Sequence, residues 1–277
     1  MQTLIRLAAR LGQYEQHEAR SIVRLMVEET LGLTYTDICC GALSKLTPQQ
    51  EELLERCMRQ LEEGVPVQYV TGKAWFGDRQ FRVAPGVLIP RPETEELCQW
   101  IAEESSDGER ILDIGTGSGC IAVTLALVCP RAAVTAWDIS ADALAIAGEN
   151  AKQLGADVAL RQVDVLGELP EEEERYGVIV SNPPYICNKE AEDMDGNVLD
   201  HEPHIALFVP DDDPLLFYRR IAELACDRLC KGGRLYFEIN PIYADDTVRM
   251  LAEKGFRDIV VRKDQFGKQR MVRSIKQ

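Results

Sequence analysis

The chain has 277 residues, 45% hydrophobic and 28% charged, with 31 basic against 46 acidic side chains and a net charge of −15. That length exceeds one ordinary core and allows two domains, or one large α/β domain with an appendage. The composition is that of a soluble globular protein: no run approaches the roughly 20 apolar residues of a membrane span, and the acidic balance opposes gripping a phosphate backbone and favours a protein or small-molecule substrate.

In chain order, the opening Met1-Gln2-Thr3-Leu4-Ile5-Arg6 carries no basic region leading into an apolar core, so no signal peptide is expected. Residues 1–73 then read as helices. Ala19 to Thr30 places apolar side chains at Ile22, Val23, Leu25, Met26 and Val27. Thr47-Pro48-Gln49-Gln50 combines an N-cap, a proline at the first helical position and a capping-box glutamine. That helix continues through Leu53, Leu54, Cys57, Met58 and Leu61 and stops at Gly64 before Pro66.

The pattern changes at 74–90, where Trp75 to Val83 alternates around Gly77-Asp78, predicting a hairpin linker. Pro92-Glu93-Thr94-Glu95 opens a helix running to about Glu104, inside a third segment, 91–277. Strands are predicted at 110–114, 133–138, 158–163, 177–181, 233–239, 256–262 and 269–275, and helices at 119–128, 141–154, 214–230 and 244–254. This alternation predicts an α/β fold, a Rossmann-like and mainly parallel sheet of seven strands, behind a small helical domain. Ligands in such sheets bind beyond the carboxyl ends of the strands. The run Glu171 to Glu174 reads as a solvated loop. Lys189 to Asp200 reads equally as a solvated connection or as a lid over the substrate.

Two loops at strand ends carry the chemistry. Gly115, Gly117 and Gly119, with Thr116 and Ser118 between them, separate the first strand of the sheet from its helix. The spacing is GxGxG, not the GxGxxG of dinucleotide binders, and it suits a close-fitting cofactor without pyrophosphate. S-adenosylmethionine is such a ligand. Asp113 before the loop suits its ammonium end, Asp138 at the second strand end suits both ribose hydroxyls, and Asp164 with Val165 after the third suits adenine.

The second loop is Asn182-Pro183-Pro184-Tyr185, after the apolar run Val178-Ile179-Val180-Ser181. The Asn182 side-chain oxygen and the Pro183 carbonyl together accept both N–H bonds of a planar NH₂ group, leaving its lone pair to face a methyl donor. Pro183 and Pro184 fix the backbone and remove competing donors, and Tyr185 offers a face for stacking. The expected reaction is methyl transfer from S-adenosylmethionine to an sp² nitrogen.

Other reactive residues are weaker signals. His201 and His204 flank Glu202-Pro203, and the proline opposes the helix that would put both on one face, so no metal is expected. The nine cysteines form no CxxC pair, which fits reduced thiols of a cytoplasmic protein, and Cys226 and Cys230 read as buried on one helix.

Three runs resemble the release factor glutamine methyltransferases: Val87-Leu88-Ile89-Pro90-Arg91-Pro92-Glu93-Thr94-Glu95, Asp113 to Ala122, and Val180 to Ile186. Glu202-Pro203, Ala206-Leu207 and Phe217-Tyr218-Arg219 add to the likeness, which covers nearly the whole chain. The Asn-Pro-Pro-Tyr loop alone is shared with adenine-amino and guanine-amino methyltransferases of nucleic acid, the alternative reading. The resemblance implies methylation of the glutamine in the Gly-Gly-Gln motif of class 1 peptide chain release factors, in translation termination. It also implies cofactor contacts from Gly115 to Gly119, Asp138, Val165 and Asn182, a glutamine held by Asn182 to Tyr185, and a helical domain that helps dock the release factor. The chain departs from the family where Glu238-Ile239 continues as Asn240-Pro241 in place of glycine, and in the absence of glycines from Phe208 to Pro214.

Overall fold

Apolar residues at spacings of three and four drive the first seventy residues into helices. The computed structural model describes residues 2–171 and 174–277, so Glu172 and Glu173 of the predicted acidic loop lie outside the described residues. The helices are α1 (Gln2–Ala8), α2 (Gln16–Leu31), α3 (Tyr35–Cys39), α4 (Pro48–Glu62) and α5 (Val67–Thr71). The capping box on α4 is formed: Thr47 Oγ1 accepts from the Gln50 N–H at 3.3 Å and Gln50 Oε1 from the Thr47 N–H at 2.9 Å. Val23, Met26, Val27, Ile38 and Met58 are fully buried in one core.

From Lys73 the period shortens from helix to strand. A hairpin, β1 (Lys73–Phe76) and β2 (Arg79–Arg82), turns at Gly77-Asp78 and precedes α6 (Pro92–Glu104). Alternation follows: β3 (Arg110–Ile114), α7 (Cys120–Val128), β4 (Ala133–Asp138), α8 (Ala141–Leu154), β5 (Val158–Gln162) and β6 (Tyr176–Ser181). Next come β7 (Ile186–Cys187), α9 (Gly196–His201), α10 (His204–Leu207), β8 (Phe208–Val209), α11 (Leu216–Arg228), β9 (Leu229–Glu238), α12 (Ala244–Glu253), β10 (Arg257–Lys263) and β11 (Gln269–Ile275).

The chain divides into two compact units. One takes Met1–Lys73, Val83–Pro85 and Asp195–His201, so α9 belongs with the helices, where Asn197 hydrogen-bonds the Tyr14 hydroxyl. The other takes Ala74–Arg82, Gly86–Met194 and Glu202–Gln277. Among the described residues no helix is long and apolar enough to cross a membrane.

The second unit is built on a sheet of seven strands in the order β10-β11-β9-β6-β3-β4-β5. It is parallel except for β11, which runs antiparallel to both neighbours. Successive residues of a strand face opposite sides. Ile111, Val178, Val180 and Tyr236 therefore pack beneath α6 and α7, and Leu112, Ile179, Leu235 and Phe237 beneath α11 and α12.

The boundary between α11 and β9 differs most from expectation. α11 ends at Arg228 and β9 starts at Leu229, which pairs with Tyr176 before a register shift ahead of Arg234. Side chains are excluded at Gly233, where a Cβ would lie 2.9 Å from the Cys230 carbonyl oxygen. Cys230 is thus an exposed strand residue, not the buried helical thiol expected, and Cys226 is only partly buried.

Candidate active site

The chain runs β3-β4-β5 outward on one side of the sheet, then returns to place β6 on the other side of β3. A crevice opens beyond the strand ends at such a reversal. Ile114 and Ser181 are paired across β3 and β6, and Ser181 Oγ donates to the Ile114 carbonyl at 2.6 Å. Gly115 and Asn182, the next residue on each strand, therefore leave the sheet side by side.

A pocket of about 270 Å³ fills this crevice. Gly115, Gly117, Asp138, Asp164, Val165, Asn182, Pro183 and Pro184, all expected from sequence, are in its wall. The pocket's remaining lining includes Ile139, Val163, Leu166, Phe217 and Ile221, an apolar surface suited to a planar ring. Two carboxylates and no basic side chain line it, so a cationic ligand is favoured over a phosphate.

The glycine loop is held in place by its own backbone. The N–H groups of Gly115 and Thr116 donate to the Trp137 carbonyl at 2.8 and 3.0 Å. The Gly117 N–H donates to Asp138 Oδ2 at 2.8 Å, and the Ser140 N–H to Oδ1 at 2.9 Å. Each Asp138 oxygen keeps a lone pair for a ligand hydroxyl. Gly119 sits at φ +81°, and a Cβ there would lie 3.0 Å from that of Ala147, so only glycine lets α8 approach this closely.

Several predicted residues stand behind the wall. Asp113 is fully buried, its Oδ2 accepting from Thr116 Oγ1 at 2.6 Å. Thr116 and Ser118 are buried too, and with Gly119 they brace the loop without lining the pocket. Burial, with Asp138 nearby, pushes the Asp113 carboxyl up to about 7. Because the folded protein holds that proton and the unfolded chain releases it near pH 4, stability contributed at low pH is lost as pH rises through about 7. Asp113→Asn is expected to remove this component, on the order of a few kcal/mol. Melting temperatures of both proteins at pH 5 and pH 8 measure it: the variant should gain relative to the parent at pH 8, and parallel changes would refute the assignment.

Tyr185 also stands behind the loop, partly buried against the core that α11 covers, and its hydroxyl donates to Glu238 Oε1 at 3.0 Å. Burial, then the Glu238 charge, holds that phenol well above its usual range. Burial likewise raises the Glu238 carboxyl, against the hydroxyls of Thr94 and Tyr185 and the charge of Arg270. Asn240, where the sequence departs from the family it resembles, donates to the Tyr185 carbonyl at 3.1 Å and to Glu190. The asparagine thus supplies a tether to the segment after Tyr185.

Sequence reasoning missed three supports. Asn150 is fully buried in α8: its Nδ2 donates to the Ser118 carbonyl at 2.8 Å and the Arg82 carbonyl at 3.0 Å, and its Oδ1 accepts from the Arg82 N–H at 2.7 Å. Arg220 donates to the carbonyls of Val165 and Gly167 at 2.8 and 2.9 Å, fixing the loop after β5. Glu202 is buried, accepting from the Ile89 N–H at 3.1 Å and pairing with Arg91. A mid-helix asparagine and an ordinary arginine give no local signal in sequence, and Glu202 stood out only through the family likeness, without its role.

Residues 2–72 match the family model described as PrmC N-terminal domain, and residues 93–200 match Methyltransferase small domain. The release factor glutamine methyltransferase of Bacteroides thetaiotaomicron is 49% identical, covering 94% of this chain and 93% of its own. That of Flavobacterium psychrophilum is 41% identical over 94% of this chain and 93% of its own. Among solved structures, the T. thermophilus 16S rRNA N2 G1207 methyltransferase in complex with AdoMet and guanosine superposes with a TM-score of 0.55. It is 21% identical and covers 74% of this chain and 50% of that chain, a likeness of fold.

Proposed function

The chain belongs to the release factor glutamine methyltransferase family, and we propose that the crevice between β3 and β6 is where its reaction takes place. The protein is an S-adenosylmethionine-dependent methyltransferase that modifies the side-chain amide of a release factor glutamine. One observation supports this location above all: Gly115, Gly117 and Asp138 share a pocket wall with Asn182, Pro183 and Pro184.

The pocket fits the cofactor, with carboxylates for hydroxyl and cationic groups and an apolar slot for adenine. S-adenosylmethionine there supplies a methyl group made electrophilic by its sulfonium. With the cofactor bound, Gly115 and Gly117, braced by Thr116, Ser118 and Gly119, would cradle the methionine end, Asp138 would take the ribose, and Asp164 and Val165 would meet the adenine. Asn182 Oδ1 and the Pro183 carbonyl would accept the two N–H bonds of the glutamine amide, turning the nitrogen lobe normal to that plane towards the methyl donor. Fixing this orientation is worth on the order of 7–11 kcal/mol. A nitrogen that gains a methyl becomes acidic and sheds a proton to solvent, so no strong base is required.

Residues 1–73 serve as the docking domain, 74–90 as a linker and 91–277 as the catalytic domain. The substrate is a class 1 release factor, methylated in its Gly-Gly-Gln motif in the cytoplasm, and the net charge of −15 favours a protein over nucleic acid. Incubation with labelled S-adenosylmethionine and a class 1 release factor should place label on that glutamine. Label on an oligonucleotide with none on the release factor would instead establish the adenine or guanine amino-group reading.

A further inference from the structure

Asn182 offers two chemically opposite atoms to the pocket, and only one orientation of its amide accepts a substrate N–H. Its Nδ2 lies 3.3 Å from Thr94 Oγ1, and Oδ1 has no hydrogen-bond partner among the described residues. Thr94 is buried, and its Oγ1 lies 2.6 Å from Glu238 Oε2. A threonine hydroxyl has one proton, and here it donates to Glu238 Oε2. The proton of Thr94 is therefore committed to Glu238, and its oxygen can only accept from Asn182. That forces the NH₂ of Asn182 towards Thr94 and its oxygen away.

We infer that Thr94 and Glu238 form a positioning relay that fixes the Asn182 amide with its carbonyl oxygen presented to the substrate. The inference rests on the glutamine-methylation reading and adds to it two residues that hold, without touching substrate, the atom that does. Glu238 binds the other end of the same loop as well, through the Tyr185 hydroxyl at 3.0 Å. Its own backbone is pinned, the Glu238 carbonyl accepting from the Tyr218 hydroxyl at 3.1 Å. One buried carboxylate thus moors the first and last residues of the Asn182-to-Tyr185 loop, and the hydroxyl of Thr94 converts its charge into a direction for the amide.

The test compares Thr94→Val, which keeps shape and loses the hydroxyl, with Thr94→Ser, which keeps the hydroxyl. Initial rates are read from labelled S-adenosylmethionine and a class 1 release factor. Thr94→Val is expected to lower kcat by ~30-fold, in line with the cost of misorienting a reacting group, with KM for the release factor within ~3-fold of the parent. Thr94→Ser should recover kcat to within ~3-fold. Thr94→Ala is the substitute should valine impair folding, with the same expectation. A Val or Ala variant turning over at the parental rate, or a Ser variant as slow as them, overturns the relay. A parent protein that labels no release factor fails the glutamine reading instead, and the two failures are distinct.

Discussion

Asn182→Ala is expected to lower kcat by ~10³-fold, about 4 kcal/mol of transition-state stabilisation, while leaving release factor binding within a few-fold. The asparagine supplies one of two acceptors that hold the NH₂ plane, and the other is a main-chain carbonyl that the substitution does not remove. Without Oδ1 the amide rotates about its remaining hydrogen bond, and its lone pair spends little time aligned with the methyl. The loop itself should survive, because Ser181 is tied to Ile114 and Tyr185 to Glu238 independently of the Asn182 side chain. Single-turnover rates at saturating release factor and cofactor measure the effect. Turnover surviving at near-parental rate would remove lone-pair alignment from the account.

Asp138→Ala should act on cofactor affinity, raising the dissociation constant for S-adenosylmethionine by ~100-fold, the loss of about two charge-assisted hydrogen bonds. The carboxylate has a double task. It accepts from the N–H groups of Gly117 and Ser140, which shapes the glycine loop, and its free lone pairs face the pocket. Calorimetric titration of the variant gives the constant directly, and kcat at saturation should fall far less than in Asn182→Ala. An unchanged dissociation constant would place the ribose elsewhere.

The sheet and the two loops were readable because each carries a local signature. Short apolar strands alternate with amphipathic helices from Arg110 onward, and strand ends follow from the Asp and Gly residues that terminate them. The capping box at Thr47 and the turn at Gly77-Asp78 are equally local. What the sequence did not disclose is non-local or too short for periodicity. α3 and α5 span little more than one turn, and β7 and β8 are two residues each. The contact between Thr94 and Glu238 joins residues 144 apart, and Asn150 reaches 32 residues back to Ser118. No spacing rule connects such pairs; only the folded sheet does. Tyr185 shows the same limit, since its hydroxyl finds Glu238 across 53 residues of sequence.

Methyl transfer here requires one NH₂ group clamped by two oxygens beside the cofactor pocket. A crystal structure with S-adenosylhomocysteine and a release factor, or its Gly-Gly-Gln peptide, tests it most directly. The glutamine amide nitrogen should lie within hydrogen-bonding distance of both Asn182 Oδ1 and the Pro183 carbonyl, with the cofactor sulfur facing that nitrogen from Gly115 and Gly117. A glutamine amide bound elsewhere, or one whose nitrogen meets Asn182 Nδ2, would contradict it.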